Sequence, residues 1–472
     1  MMIDNSLAIR SPRPSGYAVF RGLQNRPDAL DRVVRPHRLS LLFASGLLAC
    51  GSTEPGKPAA KQPGAPQVPA TPPTVTSDQT SITPPQPVDA ARAATVAASI
   101  NAFAVDLHRT LAHTPGDMLV SPASIALAFA MTHAGARGDT EQDIARVFHF
   151  PAGEPARLQA DFAATLAGWS VAREGQELAV ANRLYGERTV KFTPAYLDLT
   201  RTVFAAPLEA VDFKTAAEPA RQNINRWVAD RTHDKIVDLI PGGGLDEATR
   251  LVLVNAVYFK ATWDEPFIDS RTEAAKFHGS AGERPVKLMQ RTDTIRLAVV
   301  ADAKLRLVEL PYQGGLFALV VVLPDAKDGL RAVEEALNAD ALAGWVAGAA
   351  PQRVALKLPR FKIEPGEPLR LRAVLSSLGM ASAFGGAADF TGMAPASEAI
   401  RISEAVHKAF IAVDEHGTEA AAATAVMAKG GGMPPAGQPI EFTADHPFLF
   451  FIRDMKTGAI LFMGRLDDPK PY

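Results

Sequence analysis

The sequence predicts an α+β domain spanning residues 95–472. Three observations carry this. Apolar residues at helical spacing come early, apolar and β-branched runs come late, and no segment repeats. Ile100, Phe103, Ala104, Leu107 and Leu111 form the stripe of an opening amphipathic helix. Ser121-Pro122-Ala123-Ser124-Ile125 starts a second, apolar helix running through Met131. Asp139-Thr140-Glu141 supplies helix-start signals for a third. The run Leu251–Phe259 suits a central strand, and 316–323 and 354–361 read as further strands. Segments 446–452 and 459–466 flank Asp454-Met455-Lys456-Thr457-Gly458, a hairpin turn with glycine where a turn needs it.

Composition narrows the function. The chain of 472 residues carries a net charge of −2, which gives no basic field for nucleic acid. Cysteine occurs once, at Cys50, so the domain has no disulfide, thiolate metal site or cysteine nucleophile. No metal-binding histidine pair, nucleophile elbow or phosphate loop stands in the sequence, and neither metal nor cofactor is expected. No line of Lys and Arg marks a polyanion site.

The front of the chain reads as export machinery. Arg32, Arg35 and Arg38 precede an apolar run from Leu39 to Ala49, shorter than the roughly 20 residues a spanning helix needs. This is the plan of a secretory signal. Residues 1–31 lie ahead of that plan, and a translation start at Val33 or Val34 would account for them. From 51 to 94 the Pro/Thr/Ser-rich composition reads as a tether with no apolar period.

The segment Glu415-His416-Gly417-Thr418-Glu419-Ala420-Ala421-Ala422-Ala423-Thr424-Ala425-Val426 is the most informative. An alanine run by itself reads as helix or linker. As a strand, it would place Thr418, Ala420, Ala422, Thr424 and Val426 on one side with no charge, and Glu419 on the other.

These features resemble the serpin family. The resemblance rests on the run above, the lead-in Glu404-Ala405-Val406-His407-Lys408, and the strand His446-Pro447-Phe448-Leu449-Phe450. It rests also on Asn255-Ala256-Val257-Tyr258-Phe259-Lys260, Leu310-Pro311-Tyr312 and Leu358-Pro359-Arg360-Phe361, in order over about 95–468. It implies a large central mixed sheet, two further sheets, surrounding helices and an exposed reactive loop. Cys50 at the end of Leu47-Leu48-Ala49-Cys50 resembles a bacterial lipobox, which implies lipidation there and a membrane-anchored, exported protein.

The resemblance also assigns roles. Glu415, Gly417, Thr418, Glu419, Ala420, Ala421, Ala422, Ala423 and Thr424 match the hinge. Ser121, Ser124, Asn255 and His407 match a polar cluster, the shutter, beneath the main sheet. Trp263, Arg360 and Glu415 match the breach, where the loop enters. Arg360 and Glu415 are expected to pair; as a surface pair they would contribute about 0–1 kcal/mol. The scissile bond is expected within Lys429, Gly430, Gly431, Gly432 and Met433. Chemistry favours Lys429–Gly430, and spacing favours Gly431–Gly432.

The implied function is suicide inhibition of a serine protease, trypsin-like or chymotrypsin/elastase-like, with a cysteine protease as a further candidate, by a monomer that is not itself an enzyme. The implied mechanism is family behaviour: cleavage, acyl-enzyme trapping, then insertion of the loop as a strand. A non-inhibitory binding or chaperone-like member is the alternative, which Gly430-Gly431-Gly432 and Met433-Pro434-Pro435 keep open. A surface-anchored hydrolase is the third reading, and no motif supports it.

Overall fold

The computed structural model describes residues 89–171, 173–419 and 437–472. Cys50, Ala420–Thr424 of the expected hinge and the whole window Lys429–Met433 lie outside the described residues.

The opening helix α1 (Ala90–Leu111) begins earlier than the expected boundary at 95. Asp89 caps it, accepting from the Arg92 backbone N–H at 2.9 Å. The apolar period starts only near Val96, so the sequence pattern missed the first turn. Helix α2 (Pro122–Gly135) has Ser121 as its N-cap and Pro122 at its first position. It is buried on nearly every side, as its continuous apolar run requires.

The main sheet has seven strands. Its labelled members are β1 (Gln176–Glu187), β2 (Glu209–Val211), β3 (Leu251–Thr262), β4 (Phe361–Ile363), β5 (Glu404–Val413) and β6 (Gly417–Thr418), in the order β4-β5-β6-β3-β1-β2. The segment Leu369–Arg370 pairs beside β5. The expected strand over 354–361 is two: Ala350–Pro359 belongs to the second sheet and β4 to the main one. The break falls at Pro359-Arg360: the Arg360 N–H still bonds the Lys287 carbonyl, one step past the Leu288↔Pro359 pair, and the chain then crosses to the main sheet.

Strand β3 is buried on both faces, which explains its near-continuous apolar sequence. Val252, Val254, Ala256 and Tyr258 pack toward helix α3 (Phe213–Arg231), with Phe213, Ile224 and Val228. Leu251, Leu253, Val257 and Phe259 point into the larger core with α1 and α2. Asn255 falls on this second face by the two-residue period and is the only side chain of β3 there that is fully buried and polar.

The second sheet has nine strands. The two further sheets expected from the sequence run into one another, because both share the nineteen-residue strand Gly282–Val300. That strand pairs with Glu273–Gly279 over its first third, with Ala350–Pro359 from Leu288 to Leu297, and with Leu305–Pro311 at its end. Gly458, at φ +76, closes the hairpin between Phe448–Asp454 and Ile460–Leu466.

Candidate functional site: the hinge and the polar row below it

Strands β3 and β5 run parallel and pair from Glu404↔Val252 to Phe410↔Tyr258. Beyond that they part, and β6 lies between them. Thr418 pairs antiparallel with Val413 on one side and Ala261 on the other. The hinge therefore begins inside the sheet as a strand, the conformation its alternating small residues allow.

The chain reverses at Asp414–Gly417. The Asp414 carboxylate accepts from the N–H groups of His416 (2.9 Å) and Gly417 (3.1 Å), an Asx-type turn. Trp263 holds the turn from β3's end: its indole N–H donates to Asp414 O at 2.9 Å, and its backbone N–H donates to His416 O at 2.9 Å. Gly417 serves close approach. A Cβ there would overlap the Ala261 carbonyl oxygen and sit 2.8 Å from the Thr262 Cα, both backbone atoms that cannot yield.

Glu415 and Arg360 do form the expected ion pair, with Arg360 Nε donating at 3.0 Å. It is not a surface pair. Glu415 is 1% exposed, and Thr272 also donates to its carboxylate at 2.6 Å. Burial opposes its charge, but the bonds from Thr272 and Arg360 prevail and hold it below the ordinary carboxylate range. Sequence reasoning could not anticipate this, because Thr272 comes from a separate loop.

Thr418 is 0% exposed, and its hydroxyl meets the Tyr312 hydroxyl at 2.6 Å. Tyr312 stacks on Trp263, centroids 4.6 Å apart and planes 6° apart. Glu419 points to the other face, toward Lys235, with which it forms an ion pair. Its φ is +52°, a left-handed kink that ends the strand.

Lower in the sheet, Ser121, Ser124, Asn255 and His407 come together, with one residue the sequence did not single out. Asn182, Asn255 and His407 stand side by side on β1, β3 and β5. The Ser121 backbone N–H donates to His407 Nε2 at 3.0 Å, which leaves the ring proton on Nδ1, donating to Asn255 Oδ1. The Asn255 amide donates to Asn182 Oδ1 (2.6 Å) and Ser124 Oγ (2.7 Å). Ser124 Oγ donates to Asn182 Oδ1 at 3.0 Å, and Ser121 Oγ donates to Leu461 O at 2.6 Å. The row is closed and uncharged. Full burial pushes His407 down to about 3, with the bond to Asn255 acting the other way. Protonating Nε2 would also set one N–H against another.

Asn182 completes this row, so Asn182→Ala is expected to lower the unfolding free energy by about 1–3 kcal/mol, the cost of stranding buried partners. Urea unfolding monitored by fluorescence checks it. A shift within error of zero would mean that a water replaces the amide.

The Serpin (serine protease inhibitor) family profile matches residues 98–469. The chain belongs to the serpin family. Leukocyte elastase inhibitor of Sus scrofa is 40% identical over 379 residues, covering 78% of this chain and 97% of that protein. The Homo sapiens leukocyte elastase inhibitor is 40% identical over 380 residues, with the same coverage. Uncleaved ovalbumin superposes with a TM-score of 0.72 at 31% identity, covering 79% of this chain and all of that one. The α+β fold is thus that of serpins, and this serpin is a serine protease inhibitor rather than an enzyme.

Proposed function

We propose that this serpin is a suicide inhibitor of an elastase-like serine protease, with residues 415–419 as the hinge from which the cut loop enters the main sheet. One observation carries this: Thr418 is hydrogen-bonded into the gap between β3 and β5, at the point where those strands stop pairing with each other. The names of the mammalian relatives support the elastase class.

The protease serine attacks the scissile carbonyl, the amide bond breaks to an ester, and the new amine leaves. Each further residue of the loop then adds main-chain bonds to β3 and β5. Small, uncharged side chains at Ala420 and Ala422 would enter without desolvating a charge. Insertion drags the protease and distorts its oxyanion hole, so water no longer cleaves the ester. Ser121, Ser124, Asn182, Asn255 and His407 act as the shutter that must rearrange when the strands part. Trp263, Arg360 and Glu415 act as the breach that fixes where they part.

Incubation with neutrophil elastase, chymotrypsin and trypsin tests this. An SDS-stable complex with elastase is expected, and mass spectrometry of the released peptide reads the cut within Lys429–Met433. Loop cleavage without a stable complex for all three enzymes would overturn the inhibitory mechanism; a complex with trypsin alone would overturn only the elastase class. The motif ending in Cys50 supports an inhibitor tethered by lipid to the outside of a membrane. Labelled palmitate is then incorporated on bacterial expression, and Cys50→Ser abolishes it.

A further inference from the structure

We propose that Tyr312 is a positioning residue for inhibition: its hydroxyl holds Thr418 in the first seat of the inserting strand, so that insertion starts from a set register. This rests on the inhibitory reading above and names a residue within its site.

Among the described residues, the Tyr312 hydroxyl is the side-chain polar partner of Thr418. Both groups are sealed from water, since Tyr312 and Thr418 are each 0% exposed. The 2.6 Å separation is a full hydrogen bond, and either oxygen can donate. Tyr312 cannot drift to follow a mobile partner. It lies flat on Trp263, meets Phe259 of β3 edge-on at 5.3 Å, and forms an isolated bridge with Trp263 through its backbone. Trp263 in turn grips both Asp414 and His416. A rigid aromatic column thus fixes the hydroxyl against which residue 418 is aligned. Burial raises the phenol's pKa, so it remains an O–H donor or acceptor across the working range.

The seat also has a stop. Past Thr418 the strand ends at Glu419, whose N–H still bonds the Ala412 carbonyl of β5 but whose left-handed backbone and ion pair to Lys235 interrupt the run. The resting state therefore has Gly417 and Thr418 seated and the new strand halted at the next residue. Because a two-residue period governs which face each side chain enters, a one-residue slip would send Glu419 inward and Thr418 outward. Reading the hydroxyl of residue 418 excludes that slip. Insertion does not break this bond, since Thr418 already occupies a seat between β3 and β5. The contact thus guides the start of insertion without opposing its continuation.

The test uses Tyr312→Phe, Thr418→Val, their double variant and Thr418→Ser in the full chain, against a protease that the wild type traps. Loss of the hydroxyl bond slows the start of insertion, and more acyl-enzyme is hydrolysed. The excess of inhibitor consumed per protease trapped is expected to rise about 3- to 10-fold for Tyr312→Phe and for Thr418→Val, the range one hydrogen bond controls. The double variant is expected to match either single one, because both remove the same bond. Thr418→Ser keeps the hydroxyl and stays near the wild type. A merely structural Tyr312 would lower the thermal midpoint yet leave the stoichiometry unchanged, and that result would overturn the proposal, as would additive effects in the double variant. A wild type that traps no protease overturns this inference together with the inhibitory reading. A wild type that traps one, with unchanged variants, overturns this inference alone.

Discussion

Thr418→Arg is expected to convert the inhibitor into a substrate. Its loop is still cut by the protease, but the SDS-stable complex falls by at least about tenfold. Position 418 faces the interior, wholly buried between β3 and β5. A guanidinium there would bring five N–H donors and a charge to a place whose polar side-chain partner, among the described residues, is the Tyr312 hydroxyl alone. Burying such a charge unpaired costs several kcal/mol, far more than one step of strand pairing returns. The arginine therefore stays outside, and the first seat is empty when the acyl-enzyme forms. Each tenfold slowing of insertion corresponds to about 1.4 kcal/mol, so a penalty of that size lets hydrolysis win. Gel electrophoresis with matched protease reads the outcome. An undiminished complex would show that insertion does not require residue 418 inside the sheet.

The second large effect is acid destabilisation through His407. Its folded pKa is depressed to about 3 by burial, while the unfolded chain titrates near the ordinary 6.5. Below pH 6.5 the unfolded state therefore binds a proton that the folded state refuses. The stability this neutral imidazole supports is fully present above 6.5 and is lost as pH falls toward 3, by about 1.4 kcal/mol per pH unit. Between pH 6.5 and 5 the loss is roughly 2 kcal/mol, a sizeable part of a typical domain's stability. His407→Gln can accept from Ser121 and donate to Asn255 without titrating. It is expected to lack this component, so that the urea midpoints of the two proteins converge as pH falls. Parallel pH profiles would assign the acid sensitivity to other groups.

What the sequence revealed and what it hid follow from how local each signal is. The helices Ala90–Leu111 and Pro122–Gly135 and strand β3 were readable because their apolar patterns lie within one segment. The strand Gly282–Val300 was not, since exposed Glu283, Lys287, Thr292, Thr294 and Arg296 dilute its apolar side and its alternation changes phase at Leu288-Met289. In the site, Ser121, Ser124, Asn255 and His407 emerged together through family landmarks. Asn182 did not, because its meaning lies in a register with Asn255 that no spacing encodes. A single asparagine interrupting the alternation of Leu178–Tyr185 was the available signal. Tyr312 stood inside a landmark, but its role depends on a stack with Trp263 across a lone bridge. Burial of Glu415 likewise depends on Thr272.

The crowded backbone around Gly417 bears on how such a protein can diversify. No side chain fits at that point, and Thr418 answers to a fixed hydroxyl one residue later. Residues 414–418 are thereby bound to partners on β3, Trp263 and Tyr312, none of which a protease would read. Choice of prey must be written elsewhere in the loop, by residues with no obligation to this part of the scaffold. Selection can then exchange the bait repeatedly while leaving the trigger untouched, and a lineage can acquire a new target enzyme without relearning how to close on it.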